Sequence, residues 1–109
     1  IAFAHQTEQL GTGHAVLQAA PLLEGAGGDA MVLFGDTPFI RPETLEAMAN
    51  ARASGADVVV LGFHAADPGR YGRLVTDGDR LTKIVEWKDA SDDERAITLC
   101  NSGVMVAST

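Results

Sequence analysis

The chain has 109 residues, enough for one domain of modest size, and a globular composition of 46% hydrophobic and 21% charged residues. Its 15 acidic and 8 basic residues give a formal net charge of -7, which argues against a nucleic-acid or anionic-membrane binder. The single cysteine, Cys100, excludes an internal disulfide, and with three scattered histidines it predicts no structural zinc site and a reducing, cytoplasmic setting.

The first half of the chain alternates apolar runs with helical patterns. Residues 1–4 read as a short strand, and apolar residues recur at helical spacing over residues 13–24, with Thr12 as the side-chain cap. Residues 30–34 are continuously apolar, as in a strand covered on both faces, and Gly35-Asp36-Thr37-Pro38 ends the run. These patterns predict a strand, a helix and a second strand.

A second helix is predicted from Pro42, which suits the first helical position, to Gly55, and residues 57–63 form another apolar strand. Strand, helix and strand in succession predict a right-handed crossover and a mainly parallel sheet. Further along, Asp77-Gly78-Asp79-Arg80 predicts a hairpin between residues 73–76 and 81–87. A polar helix or turn over 89–95 and a strand over 101–107 complete an α/β pattern.

Asp36 directly follows an apolar strand. In open α/β sheets, ligands bind in the crevice beyond the carboxyl ends of strands, where a carboxylate can hold Mg²⁺. Asp also bonds readily to its own backbone in turns, so on the local sequence alone Asp36 could simply shape the turn.

Five segments together, QTEQLGTGHA, FGDTPFI, GRYGRLV, IVEWKDAS and NSGVMVA, resemble the pyrophosphorylase domain of the bacterial N-acetylglucosamine-1-phosphate uridyltransferase family. The resemblance covers essentially the whole chain and implies a Rossmann-like nucleotidyltransferase fold with a β-ribbon insertion. It also implies transfer of a uridylyl group from UTP to N-acetylglucosamine 1-phosphate, which gives UDP-N-acetylglucosamine and diphosphate. Phe34 and Trp87 stand where the family commonly has tyrosine and histidine.

The resemblance implies a nucleotide subsite near the start of the chain. Gln6 and Gln9 would bond the uracil edge, because an amide offers both donors and an acceptor, with Gly11 and Thr12 closing around the base. The structural alternatives are surface glutamines and a plain helix cap at Thr12. His14 is interpreted as a packing or capping residue.

By the same resemblance, Asp36 binds Mg²⁺, while Gly72, Glu86 and Asn101 form the N-acetylglucosamine pocket. Carboxylate and amide groups suit sugar hydroxyls and the acetamide. Read without the family, Gly72 is a turn residue, Glu86 an exposed charge opposite Lys83 or Lys88, and Asn101 a cap that opens a strand.

The family's phosphate-binding glycine-rich loop, its second metal ligand and its β-helix acetyltransferase domain have no counterpart in this sequence. We therefore expect residues 1–109 to be a single partial domain, the central and C-terminal part of the sugar-nucleotide transferase domain of a longer enzyme, inactive alone and prone to self-association. The parent is expected to be a homo-oligomer, a trimer held together through its β-helix. Two alternatives stay open: a related transferase with another base or sugar, and a non-catalytic sugar-nucleotide binding module.

Overall fold

The computed structural model describes residues 1–36 and 39–109, so Thr37 and Pro38 of the segment predicted to end the apolar run lie outside the described residues. Five strands form an open sheet, and five short helical segments accompany them. The elements are α1 (Thr12–Leu17), α2 (Ala20–Leu23), β1 (Asp29–Val32), α3 (Pro42–Ala53), β2 (Val58–His64), β3 (Arg73–Asp77), β4 (Arg80–Val85), a 3₁₀ helix (Trp87–Asp89), α4 (Asp92–Arg95) and β5 (Leu99–Ser108).

The long strand β5 organises the sheet. β1 and β3 pair with it along one edge and β2 along the other, and every pairing is antiparallel. The α/β class is confirmed, but the prediction of a mostly parallel sheet is wrong for the described residues. β1 and β2 do run in the same direction, as the crossover pattern indicates, but β5 lies between them and runs the opposite way.

The predicted first helix is divided in two. α1 ends at Leu17 and α2 begins at Ala20, because Pro21 has no N–H to donate to Leu17 and its ring clashes with that carbonyl. The cap of α1 is Gly11, not Thr12, and no side chain caps this end. No helix in the described ranges is long and apolar enough to cross a membrane.

Residues 1–4, predicted as a strand, form none in the described part of the chain, and Ile1 and Phe3 are almost fully exposed. A strand needs a neighbour for its N–H and C=O groups, and no described strand lies beside this segment.

The core lies between α3 and the sheet. α3 begins with Pro42 as predicted and turns Met48 inward against Val104 and Val106 of β5. The predicted hairpin is confirmed as β3 and β4. Only Gly78 has a positive φ (61°) in its two-residue turn, which fits the glycine required at the first central position of a type II′ turn.

Candidate functional site

Three predicted site residues that are distant in the sequence lie side by side across the sheet. They form a line in the order Glu86, Gly72 and Asn101. Arg73 on β3 has a partner on both β4 and β5, so Gly72, one residue earlier, lies between Glu86 and Asn101. Asn101 N donates a 2.8 Å hydrogen bond to Gly72 O. A Cβ on Gly72 would lie 3.4 Å from Glu86 Oε1. The structure thus brings the three predicted sugar-binding residues together.

The carboxylate of Glu86 is exposed, and neither Lys83 nor Lys88 pairs with it among the described residues. Lys83 instead forms an ion pair with Glu94 of α4. Lys83 donates a hydrogen bond to the Glu94 carboxylate within this pair, and the backbone N–H of Ser91 donates another. Both bonds stabilise the charged carboxylate and so lower the pKa of Glu94. The Glu86 carboxylate is exposed without a lysine partner among the described residues, so it is open to a ligand.

Asn101 lies inside β5, where a β-bulge begins. Residues 102–104 stand opposite Leu61 alone, so the regular pairing of β5 with β2 is interrupted at this point. Asn101 Oδ1 accepts a 2.9 Å hydrogen bond from Gly103 N, and Ser102 Oγ donates to Leu61 O at 2.6 Å. Since a backbone N–H can only donate, this bond fixes the Asn101 amide with its Nδ2 group directed elsewhere. That Nδ2 has no partner among the described residues and can serve a ligand.

A buried arginine that sequence reasoning did not single out holds the loop before Gly72. Only 2% of Arg73 is exposed, and within the described residues its guanidinium meets backbone carbonyls and no carboxylate. Its Nη groups donate to the carbonyl oxygens of Gly69 at 3.0 Å, Arg95 at 3.2 Å and Pro68 at 3.5 Å, and also to Tyr71. The signal in the sequence was the arginine placed directly before the apolar residues Leu74 and Val75. An arginine buried at the start of such a strand needs hydrogen-bond partners, so it would be expected to bind nearby backbone carbonyls.

The predicted nucleotide residues lie in the segment before α1 and at its first residue, Thr12. Gly11 has φ 110° and ψ 175°, a conformation that glycine readily adopts. Gln6 Nε2 donates to Gly11 O at 3.3 Å and lies 2.9 Å from His14 Nδ1. Gln9 and Thr12 are exposed, and their side chains make no hydrogen bond within the described ranges. The structure therefore groups Gln6 with Gly11 and adds His14.

Asp36 is exposed in the turn that follows β1. Phe34, two residues earlier, packs on β5, because a Cβ on Gly103 would lie 2.6 Å from Phe34 Cε2. Asp36 forms no hydrogen bond or ion pair with the other predicted site residues in the described part of the chain. No group of three or more His, Cys, Asp or Glu in that part could hold a metal ion, so Asp36 would be a single protein donor.

Known proteins closely match this chain. The family model of nucleotidyl transferases matches residues 1–104. The chain is 76% identical over 102 residues to the bifunctional protein GlmU of Dinoroseobacter shibae, which is 94% of this chain and 23% of that protein. It is 73% identical over 104 residues to GlmU of Cereibacter sphaeroides ATCC 17025, and 62% identical over 104 residues to GlmU of Paracoccus denitrificans. Each of these two matches covers 95% of this chain and 23% of the relative. It thus spans about a quarter of the length of these relatives, and it belongs to the nucleotidyl transferase family.

Proposed function

We propose that the protein containing this chain transfers a uridylyl group from UTP to N-acetylglucosamine 1-phosphate, releasing diphosphate and UDP-N-acetylglucosamine. The observation that carries the proposal is the line formed by Glu86, Gly72 and Asn101. Three segments of the sequence supply one residue each, and together they offer a carboxylate, an amide and an open approach between them. High identity to several bifunctional GlmU proteins supports the same reaction.

This line forms the proposed sugar subsite. The exposed Glu86 carboxylate accepts hydrogen bonds from sugar hydroxyls, and Asn101 Nδ2 donates to a hydroxyl or to the acetamide oxygen. Gly72 has no side chain to stand between a ligand and the Glu86 carboxylate. A Cβ at Gly72, only 3.4 Å from Glu86 Oε1, would narrow that approach.

The turn before α1 is the proposed nucleotide subsite. Gln6 and Gln9 supply amide groups for the uracil edge, and Gly11 allows the backbone to approach the ring closely because it has no Cβ. Thr12 follows directly and closes the same turn. Of these residues, Gln6 is the one whose side chain the protein already holds in place.

Asp36 is the proposed metal ligand. Nucleotidyltransferases generally use a divalent metal ion, and we assign Mg²⁺ here because a lone carboxylate fits its habit of binding through one or two carboxylates, waters and substrate phosphates. Bound there, Mg²⁺ would neutralise negative charge on the phosphates. The exposed position of Asp36 leaves room for such a hydrated ion.

We further propose that residues 1–109 are one part of a sugar-nucleotide transferase domain in a longer, homo-oligomeric cytoplasmic enzyme. The phosphate-binding loop, a second metal ligand and a β-helix acetyltransferase domain would come from other parts of that enzyme. Alone, the chain is expected to be inactive, because an acidic protein with a single metal ligand attracts a polyanionic nucleotide poorly.

The test uses a chimera in which this chain replaces the aligned segment of full-length D. shibae GlmU, with release of diphosphate as the readout. We expect Glu86→Gln to raise KM for N-acetylglucosamine 1-phosphate about tenfold while KM for UTP stays within about twofold, since one charge-assisted hydrogen bond is lost. Asp36→Asn should lower kcat and raise the Mg²⁺ concentration needed for half-maximal rate.

Different results would exclude the proposal or redirect it. Thr82→Val, an exposed substitution on β4 away from the line, is the control and should leave both KM values unchanged. Equal turnover with another nucleoside triphosphate or sugar phosphate would identify a related transferase. Full metal-dependent activity after both Asp36→Asn and Glu86→Gln would reject the assigned sites.

A further inference from the structure

The side chain of Gln6 is held from two directions. Its Nε2 group lies 3.3 Å from Gly11 O and 2.9 Å from His14 Nδ1. A carbonyl oxygen can only accept, so the Gly11 contact requires the nitrogen of the Gln6 amide, not its oxygen, at this position. The orientation of the amide is therefore held by two acceptors together: the longer 3.3 Å bond to Gly11 O and the 2.9 Å contact to His14 Nδ1.

The His14 ring meets a second amide on its other nitrogen. Gln18 Nε2 donates to His14 O at 2.9 Å, which fixes that amide too, and it lies 3.4 Å from His14 Nε2. Both ring nitrogens thus face N–H donors, but a neutral imidazole has only one acceptor nitrogen. The 2.9 Å contact to Gln6 is a normal hydrogen-bond length and the 3.4 Å contact to Gln18 is long. We therefore assign to His14 the tautomer that accepts at Nδ1 and has its proton on Nε2, in which the 3.4 Å contact to Gln18 is not a hydrogen bond.

We propose that His14 is a positioning residue that sets what Gln6 offers to the base. With one N–H bonded to Gly11 O and the other to His14 Nδ1, Gln6 has only its Oε1 left for a ligand. Oε1 accepts a hydrogen bond from an imide N–H such as N3–H of uracil, and it repels the unprotonated N3 of cytosine. This deepens the proposed function and rests on it: the preference for UTP over CTP depends on a histidine that need not touch the nucleotide.

The test compares kcat/KM for UTP and CTP in the D. shibae chimera that carries this chain. His14→Gln moves the acceptor away from the Nδ1 position, releases one N–H of Gln6 and lets the amide turn over. We expect the UTP-to-CTP ratio to fall about threefold to tenfold, the range for losing one hydrogen bond. His14→Asn places Oδ1 where Nδ1 was and should keep the ratio within about twofold of the unsubstituted chimera.

Gln18→Met is the matched control, because Gln18 contacts the opposite side of the His14 ring, away from Gln6. Its UTP-to-CTP ratio should not change. An unchanged ratio in His14→Gln, or an equal loss in His14→Gln and His14→Asn proteins that melt like the unsubstituted chimera, overturns the inference and leaves the proposed function standing. An unsubstituted chimera that transfers nothing from UTP would instead count against the proposed function itself.

Discussion

At the scale of single residues, Arg73 shows how a buried charge holds the backbone around the candidate sugar subsite without being part of it. Its guanidinium is bound to backbone carbonyls on both sides: those of the loop that leads to Gly72, and that of Arg95 at the end of α4. Arg95 in turn stacks on the ring of Trp87, the residue that follows Glu86, with the Arg95 Cζ 4.0 Å from the ring centroid. Arg73 therefore ties together the two segments that present Gly72 and Glu86.

We expect Arg73→Met to lower the free energy of unfolding by about 2–4 kcal/mol, because carbonyls that received charge-assisted hydrogen bonds lose their donor. The matched control is Arg80→Met, at an exposed position in the hairpin, with an expected change of less than about 0.5 kcal/mol. Urea unfolding followed by circular dichroism measures both. Equal stability of the two variants would show that Arg73 does not hold the loop.

At the scale of elements, the contact between β2 and β5 depends on one glycine. Gly62 pairs with Asn101, and a Cβ at Gly62 would lie 2.6 Å from Leu74 Cδ1, 3.1 Å from Leu99 Cδ1 and 3.3 Å from the Cys100 carbonyl oxygen. No larger residue fits without displacing these neighbours. The position of β5 at Asn101 relative to β2 is thus determined by close packing as well as by hydrogen bonds.

Gly62→Ala should cost about 1–3 kcal/mol of stability through overpacking, and Leu74→Val should recover part of that loss in the double variant. The measurement is a double-mutant cycle from urea unfolding. Gly13→Ala in α1 is the control: no atom lies within 4 Å of its new Cβ, and alanine favours helix, so stability should hold or rise. Additive effects of Gly62→Ala and Leu74→Val would mean that the clash is relieved elsewhere.

At the scale of the whole molecule, an apolar groove of about 870 Å³ lies between the two short helices and the β1 side of the sheet. Val16, Leu17 and Leu23 line it from the helices, and Val32 and Met105 from the strands. Leu17 is 65% exposed. Apolar surface of this kind favours association with other chains, because it lies beside β1, whose outer edge pairs with no described strand.

We expect the isolated chain to self-associate, with a mass that rises with concentration in static light scattering. Leu17→Lys, which places a charge at the groove, should reduce the association. Leu81→Lys on β4, a partly exposed leucine away from the groove, should not. A strictly monomeric chain at high concentration would contradict the expectation.

The sequence by itself determined several of the local elements and the choice of candidate residues. Pro42 and the apolar spacing specify α3, and the Asp-Gly turn specifies the β3–β4 hairpin, because these signals act within a few neighbouring residues. The five motifs predict the candidate site residues. Only the tertiary structure decided the rest. It placed β5 between β1 and β2, aligned Glu86, Gly72 and Asn101, and brought His14 to Gln6, since strand order and side-chain contacts depend on residues that are distant in the chain.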